Sequence, residues 1–164
     1  METRGPGGER LVLEPVRAEH AERLRELRAT PQVERWWGPP EDAWPLGAEP
    51  DDHNFALSLD GELAGYVQFW EDPDPTSRHA DVDIFLAPEV QSRGVGTAVM
   101  RAVLRHLIEE RGHHRVTLGT SVDNARAIHV YEKIGFRRVG VMRKSALSHL
   151  TGEWEDELLM EYVV

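Results

Sequence analysis

The sequence predicts a mixed α/β (α+β) fold around one central sheet, antiparallel at first and partly parallel afterwards. Three observations carry this prediction. Period-two runs dominate the first half, and apolar-striped helices alternate with strands in the second. No repeat, and no linker long enough to separate domains, interrupts the 164 residues. One domain spanning residues 1–164 is the expectation.

Taken in order, Met1–Arg10 is rich in Gly and Pro and lacks the apolar core of a secretory signal, so it reads as a loose tail. Leu11–Val16 is a short strand. Ala18–Ala29 is a charged helix with Ala21, Leu24 and Leu27/Arg28 on one stripe, ended by Thr30-Pro31. Pro39 to Pro50 contains four prolines and reads as a loop with room for a helical turn. In Asn54–Trp70, Phe55, Leu57 and Leu59 alternate with polar positions, Asp60-Gly61 supplies a tight turn, and Leu63, Gly65, Val67 and Phe69 resume the alternation.

A long strand follows from His79 to Leu86, stopped by Pro88. The next helix runs from Val95 to Arg111 on the stripe Val95, Ala98/Val99, Ala102/Val103 and His106/Leu107, with Gly112 as its C-terminal cap. Arg115–Thr120 is a strand. Ser121 or Asp123 can cap a helix whose Ala127, Val130, Tyr131 and Ile134 share a face, and Gly135 ends it. Phe136–Val141 and Glu155–Val163 are the last strands.

Composition narrows the function. With 19 Lys plus Arg against 29 Asp plus Glu, the net charge of −10 disfavours nucleic acid, which needs a basic face. Net negative charge attracts cationic ligands, and it also serves solubility alone. No apolar run approaches the ~20 residues that span a bilayer, so no membrane contact is expected and the cytoplasm is the default compartment. The absence of cysteine excludes disulfides, thiolate zinc sites and a cysteine nucleophile.

The strongest local signal is Ala87-Pro88-Glu89-Val90-Gln91-Ser92-Arg93-Gly94-Val95-Gly96-Thr97, between a strand and a helix. Gly94 and Gly96 clear the way for an anion to reach the backbone, where free N–H groups and the helix dipole attract it, and Arg93 adds a charge. A turn that merely starts a helix has the same residues. A P-loop needs Gly-Lys-Ser/Thr, but Thr97 follows Gly96 directly; a dinucleotide fingerprint needs a third glycine where Val99 stands.

Gln-x-x-Gly-x-Gly in this setting resembles the acyl-CoA-binding motif of the GNAT superfamily. The run Asn124-Ala125-Arg126-Ala127-Ile128-His129-Val130-Tyr131-Glu132-Lys133-Ile134-Gly135-Phe136 is similar to that superfamily's next motif, in the same order and at a similar separation. The resemblance covers about Asn54 to Val141. It implies the GNAT fold with a splayed pair of parallel strands, and acetyl-CoA as co-substrate. It also implies that backbone groups of Ile84, Phe85 and Leu86 pair with the pantetheine arm, that Gln91, Ser92, Arg93, Gly94, Val95, Gly96 and Thr97 hold the pyrophosphate, that Asn124 binds the arm near the thioester, and that Tyr131 lies by the sulfur.

Acetyl transfer to an amine has two proton problems. An alkylammonium is only about a thousandth neutral at pH 7, and the departing thiolate needs a proton that a phenol can supply. Tyr131 is the candidate acid, although an aromatic residue on an apolar stripe also serves packing. His79, Asp81 and Asp83 alternate along one strand face. Asp83, nearest the cofactor end, is the candidate base or ammonium anchor; the same row could hold a metal or form a solvated face, and no metal is expected. Lacking a cysteine or a Gly-x-Ser-x-Gly elbow, the chain is expected to use direct attack rather than an acyl-enzyme.

Trp36 and Trp37, beside a Gly/Pro loop, suit an acceptor wall, or equally a core residue and its cover. Glu153, within Glu153-Trp154-Glu155-Asp156, is a second candidate acceptor contact or a solvated turn. His113-His114 reads as surface at a helix end.

Within the superfamily, Trp36-Trp37, Val82-Asp83-Ile84-Phe85-Leu86 and Arg126-Ala127-Ile128 before Tyr131 are similar to aminoglycoside 6'-N-acetyltransferases, which implies a polycationic amine acceptor and antibiotic resistance. The chain departs from them at Leu118-Gly119-Thr120-Ser121-Val122, where they carry an Asp-Pro-rich run, so no acidic group stands at Gly119. Protein N-terminal acetyltransferases and a non-catalytic acyl-CoA-binding module are the alternatives. The expected partner is a small amine, and the expected assembly a monomer or homodimer.

Overall fold

The computed structural model describes residues 1–46, 53–72 and 74–164. The strands are β1 (Glu2–Arg4), β2 (Arg10–Pro15), β3 (Asn54–Leu59), β4 (Glu62–Glu71), β5 (Ala80–Leu86), β6 (Arg115–Ser121), β7 (Arg137–Leu147) and β8 (Trp154–Val163). They form one sheet in the order β1-β2-β3-β4-β5-β6-β8-β7. Every neighbouring pair is antiparallel except β5 and β6, which is the mixed sheet the sequence predicts. The helices are α1 (Ala18–Arg28), α2 (Pro31–Trp37), α3 (Val95–Arg105) and α4 (Ala125–Ile134).

Strand alternation divides the core between the two faces of the sheet. Leu57, Val67, Phe69 and Val82 pack with Val99, Val103 and Leu107 of the α3 side and Ile128 of α4. On the other face Ala56, Tyr66 and Phe85 pack with Leu24 and Leu27 of α1 and Val33 of α2. The β3–β4 turn uses Asp60 and Gly61, both with positive φ (51° and 92°), the geometry a two-residue hairpin requires. After α3 the helix widens into a π-type turn over His106–Glu110 and stops before Gly112, whose φ is 75°.

Several expectations need correction. Met1–Arg10 is no loose tail: β1 pairs with β2, the terminal ammonium donates to Leu13 O at 2.7 Å, and Gly5–Glu9 makes the turn. Thr30-Pro31 ends α1, but Pro31 also starts α2, since its fixed φ and missing N–H suit a first helical turn. Asn124, rather than Ser121 or Asp123, caps α4, accepting from Ala127 N at 3.3 Å, and Ile128 is the deepest residue of that helix. β7 runs to Leu147 instead of Val141; bulges between Arg138/Gly140 and Met142/Ala146 break the alternation that marks a strand. The Pro39–Pro50 loop forms turns up to Leu46, and its remainder lies outside the described residues.

His113 is not at the surface. It is 2 % exposed and pairs with Glu71, which also receives Arg111 and, at 2.7 Å, His53. Burial alone would push the Glu71 carboxyl up, but hydrogen bonds from Arg111, His113 and His53 outweigh it and hold the carboxyl well below the usual range. This cluster joins the far ends of β3 and β4 to the segment entering β6.

Candidate active site

β5 and β6 pair only through Ala80↔Val116 and Asp81↔Thr117, then diverge. On its other side β5 stays paired with β4 as far as Gly65↔Leu86. From Val82 to Leu86 the β6 side of β5 therefore lacks a strand partner, and a cavity of about 620 Å³ opens there. Ile84, Phe85 and Leu86 line it, as do Asn124 and Tyr131 across the gap. That volume lies within the roughly 300–1,000 Å³ range of small-molecule sites.

The glycine loop forms one end of this cavity. Ser92 (φ 60°) and Gly94 (φ 79°) both take the left-handed conformation, which curls the chain into the N-terminus of α3. No side chain caps that terminus, so the N–H groups of the first turn of α3 keep their capacity for an anion. Gln91, Ser92, Gly94, Gly96 and Thr97 line the cavity. Gln91 also donates from Nε2 to Leu86 O at 2.8 Å, tying the loop to the end of β5. The Val95 side chain is buried in the core, so only its backbone is available to a ligand. Arg93 is outside the wall, paired at 3.2 Å with Glu9 of the β1–β2 turn. These features fit a pyrophosphate held by backbone, with an extended arm running along β5.

Asp83 lines the same cavity. Gln68 Nε2 donates to Asp83 Oδ2 at 3.1 Å, and the one Tyr66 hydroxyl proton is shared between Asn54 Oδ1 at 2.7 Å and Gln68 Oε1 at 3.1 Å. Solvent reaches the Asp83 carboxylate through the open cleft, while protein encloses it on most sides. Burial pushes its carboxyl up, the Gln68 hydrogen bond opposes that, and the charges of Asp81 and Glu157 add to the rise. Tyr131 packs its ring against Phe136 at 5.8 Å. Burial, and then the Asp83 charge, push the Tyr131 hydroxyl above the ordinary tyrosine range. The two candidate catalytic groups thus share one cleft, and the Asp83 charge is felt by Tyr131.

Trp36 and Trp37 both line the cavity, but differently. Trp37 stands edge-on to Phe85 (5.0 Å) and Tyr66 (5.9 Å), continuing the core outward, whereas the Arg35 guanidinium lies 4.5 Å over Trp36. Arg28, only 6 % exposed, holds this wall: it donates to Trp37 O at 3.0 Å, Gly38 O at 3.2 Å and Glu41 Oε2 at 3.0 Å, and lies 4.8 Å over Trp44. Glu153 is exposed and outside the wall; Glu155, Asp156 and Glu157 of β8 line it instead. Sequence reasoning missed Glu157 and Arg28. The acidic run ending at Glu157 was the available signal for the first, and a charged residue on the stripe of α1 for the second. His79 sits at the far end of β5, 3.4 Å from Asp81, outside the cavity wall.

Residues 16–136 match the family described as Acetyltransferase (GNAT) family. The chain belongs to that family. It is an acetyltransferase. It is 29 % identical over 160 residues to an L-amino acid N-acetyltransferase of Escherichia coli (strain K12), covering 93 % of this chain and 98 % of the relative. Over 140 residues it is 27 % identical to a spermidine N(1)-acetyltransferase of the same strain, covering 80 % and 75 %. Over 133 residues it is 29 % identical to aminoglycoside N(6')-acetyltransferase type 1 of Klebsiella pneumoniae, covering 67 % and 65 %. Among solved structures, Mycobacterium smegmatis RimJ in complex with CoA-disulfide superposes with a TM-score of 0.82 at 22 % identity, over 100 % of this chain and 86 % of that one, a likeness of fold. The relatives' acceptors differ widely, so family membership leaves the acceptor open. No helix among the described residues is long and apolar enough to cross a membrane.

Proposed function

We propose that the protein moves an acetyl group from acetyl-CoA directly to a primary amine of a small polycation, an aminoglycoside-type molecule being the leading candidate. The observation that carries this reading is the convergence of the uncapped α3 terminus, Asp83 and Tyr131 on one cleft whose acceptor half carries Glu155, Asp156 and Glu157.

When bound, acetyl-CoA supplies the activated acyl group as a thioester. The glycine loop holds its pyrophosphate, the unpaired side of Ile84–Leu86 takes the pantetheine arm, and Asn124, with its Oδ1 engaged in capping α4, offers its amide N–H groups to that arm. Asp83 receives the acceptor's ammonium and accepts one proton from it, freeing the lone pair for attack. Its raised pKa makes it a better proton acceptor than an ordinary aspartate. As the N–C bond forms and the C–S bond breaks, Tyr131 would give its proton to the sulfur, the nitrogen's second proton would replace it on Tyr131, and Asp83 would release the first to solvent. Desolvation raises a thiolate's proton affinity as it does a phenol's, which keeps the pair matched.

Thiol release from acetyl-CoA, screened against aminoglycosides, polyamines, amino acids and short peptides, tests this. Polycations should give the highest kcat/KM. Preference for peptide N-termini would move the protein to the protein-modifying class, and binding without turnover would leave an acyl-CoA-binding module.

A further inference from the structure

Gly119 lies on β6 at the splay, opposite Leu159 of β8, and it lines the cavity. A side chain beginning there would find the Glu157 Oε1 carboxylate 3.6 Å away and Met142 Cε at 3.5 Å, both ordinary contacts. Glu157, two residues along β8 and opposite Ser121, thus reaches over the bare glycine into the space that a residue at 119 would fill. Its other oxygen is tethered: Ser145 Oγ donates to Glu157 Oε2 at 2.9 Å, from the bulged segment of β7. Oε1 remains on the side of the cleft, and among the described residues no ion pair neutralises either Glu157 or Asp83.

We propose that Glu157 is a specificity-determining residue that binds a second ammonium of the acceptor, making the enzyme selective for diamines over monoamines of equal length. The inference rests on the proposed amine acetylation. Two carboxylates, one borne by β5 and one by β8, face a shared cavity, and the Glu157 charge raises the cost of charging Asp83. A cation between them removes that cost. An acceptor with two ammonium groups satisfies both: one gives its proton to Asp83 and is acetylated, the other stays charged on Glu157. A monoamine leaves Glu157 without a partner, and an acceptor with its own carboxylate is repelled.

The test compares 1,4-diaminobutane with n-butylamine as acceptors for the full-length protein. The wild type should favour the diamine in kcat/KM by about tenfold or more, the size of one charge-assisted contact. Glu157→Gln should remove most of that preference by raising KM for the diamine far more than KM for n-butylamine, with KM for acetyl-CoA unchanged. Gly119→Asp in the Glu157→Gln background should restore some of the preference, because a carboxylate at 119 returns charge to the same space. Intact discrimination in Glu157→Gln, or equal losses for both amines, overturns the role of Glu157 while leaving amine acetylation in place. No turnover of any amine by the wild type overturns the acetylation reading, and this one with it.

Discussion

Gln68 donates to Asp83 Oδ2 at 3.1 Å while its own Oε1 accepts from Tyr66, so a neutral amide orients the carboxylate without supplying a counter-charge. Asp83 therefore keeps a raised pKa, since burial and the Asp81 and Glu157 charges outweigh the Gln68 hydrogen bond. In the absence of ligand the native state holds a proton on Asp83 more tightly than the unfolded chain does. Stability from this group then falls as pH rises from the ordinary aspartate pKa, about 3.9, through the raised one. Asp83→Asn should raise Tm at pH 7, with the gain vanishing near pH 4, yet lower kcat/KM by about 10²-fold or more. It should also abolish the acidic limb of the pH–rate profile. Thermal melts at the two pH values and a pH–rate series check both halves; a variant that is active and less stable at pH 7 contradicts both.

Tyr131→Phe should keep acetyl-CoA binding and lower kcat by about 10²–10⁴-fold, because the ring still packs against Phe136 while the proton donor is gone. Burial holds the hydroxyl protonated well beyond neutral pH, so the wild type should show no loss of activity from tyrosine ionisation up to about pH 10. Single-turnover rates at saturating acetyl-CoA decide this: an unchanged rate would mean that solvent protonates the thiolate.

The loop is best probed at Gly96. A Cβ at Gly94 would strike Pro6 Cγ at 2.8 Å on a backbone with φ 79°, so any substitution there disturbs the β1–β2 turn as well. At Gly96 the nearest contact is Leu86 Cδ1 at 3.4 Å, and aspartate in the first turn of a helix is favoured by the dipole. Acetyl-CoA at a hundredfold excess over Kd should stabilise the wild type by about 2.7 kcal/mol, roughly 5–11 °C in Tm. Gly96→Asp should keep the ligand-free Tm and lose the shift, because its carboxylate opposes the pyrophosphate. A full shift in that variant removes the loop from the site.

Away from the cleft, Glu71 is the clearest contributor to stability. Its carboxyl is depressed, so the stability it contributes is present above the ordinary glutamate pKa, about 4.3, and is lost progressively as pH falls below that value. Glu71→Gln leaves Arg111 and His113 without their carboxylate and should cost about 3 kcal/mol at pH 7, roughly 6–12 °C in Tm. The Tm gap between the two proteins should be full at pH 7 and clearly narrower, but still present, at pH 3, where the native carboxyl remains ionised; equal Tm at pH 7 would show that the cluster contributes nothing.

How much of this was legible in the sequence follows from range. Asp60-Gly61 and the alternation around it specify the β3–β4 hairpin locally, and Gln91 to Thr97 mark the glycine turn into α3 within one turn of helix. The β1–β2 hairpin was hidden because glycine and proline mark turns and tails alike. His113 looked like a helix-end residue since its partner, Glu71, is 42 residues away. Glu157 was missed for a related reason. Only the pairing of β6 with β8 brings it over Gly119, and that register is invisible until the sheet is assembled.

The acceptor's charge leads to the last expectation. Asp83, Glu155, Asp156 and Glu157 line the cavity in a chain of net charge −10. Of the arginines in the wall, Arg28 is committed to Glu41 and backbone carbonyls and Arg35 lies over Trp36, which leaves Arg126 of α4 against those carboxylates. On the proposed reading a polycation would be drawn in by long-range attraction and then held by local carboxylates. The two contributions separate with salt, because exposed charges are screened beyond about 8 Å at physiological ionic strength, whereas enclosed pairs are screened far less. Raising ionic strength from about 0.05 to 0.5 M should increase KM for an aminoglycoside or polyamine by roughly three- to tenfold and leave kcat nearly unchanged. Asp83→Asn should cost more than the salt does and should lower kcat too, because it removes the enclosed partner of the reacting nitrogen. Steady-state kinetics across the salt series, run in parallel on both proteins, separates the cases. A KM insensitive to salt, together with monoamines or peptide N-termini turned over as efficiently as polycations, would rule out a polycationic acceptor while leaving the family unchanged.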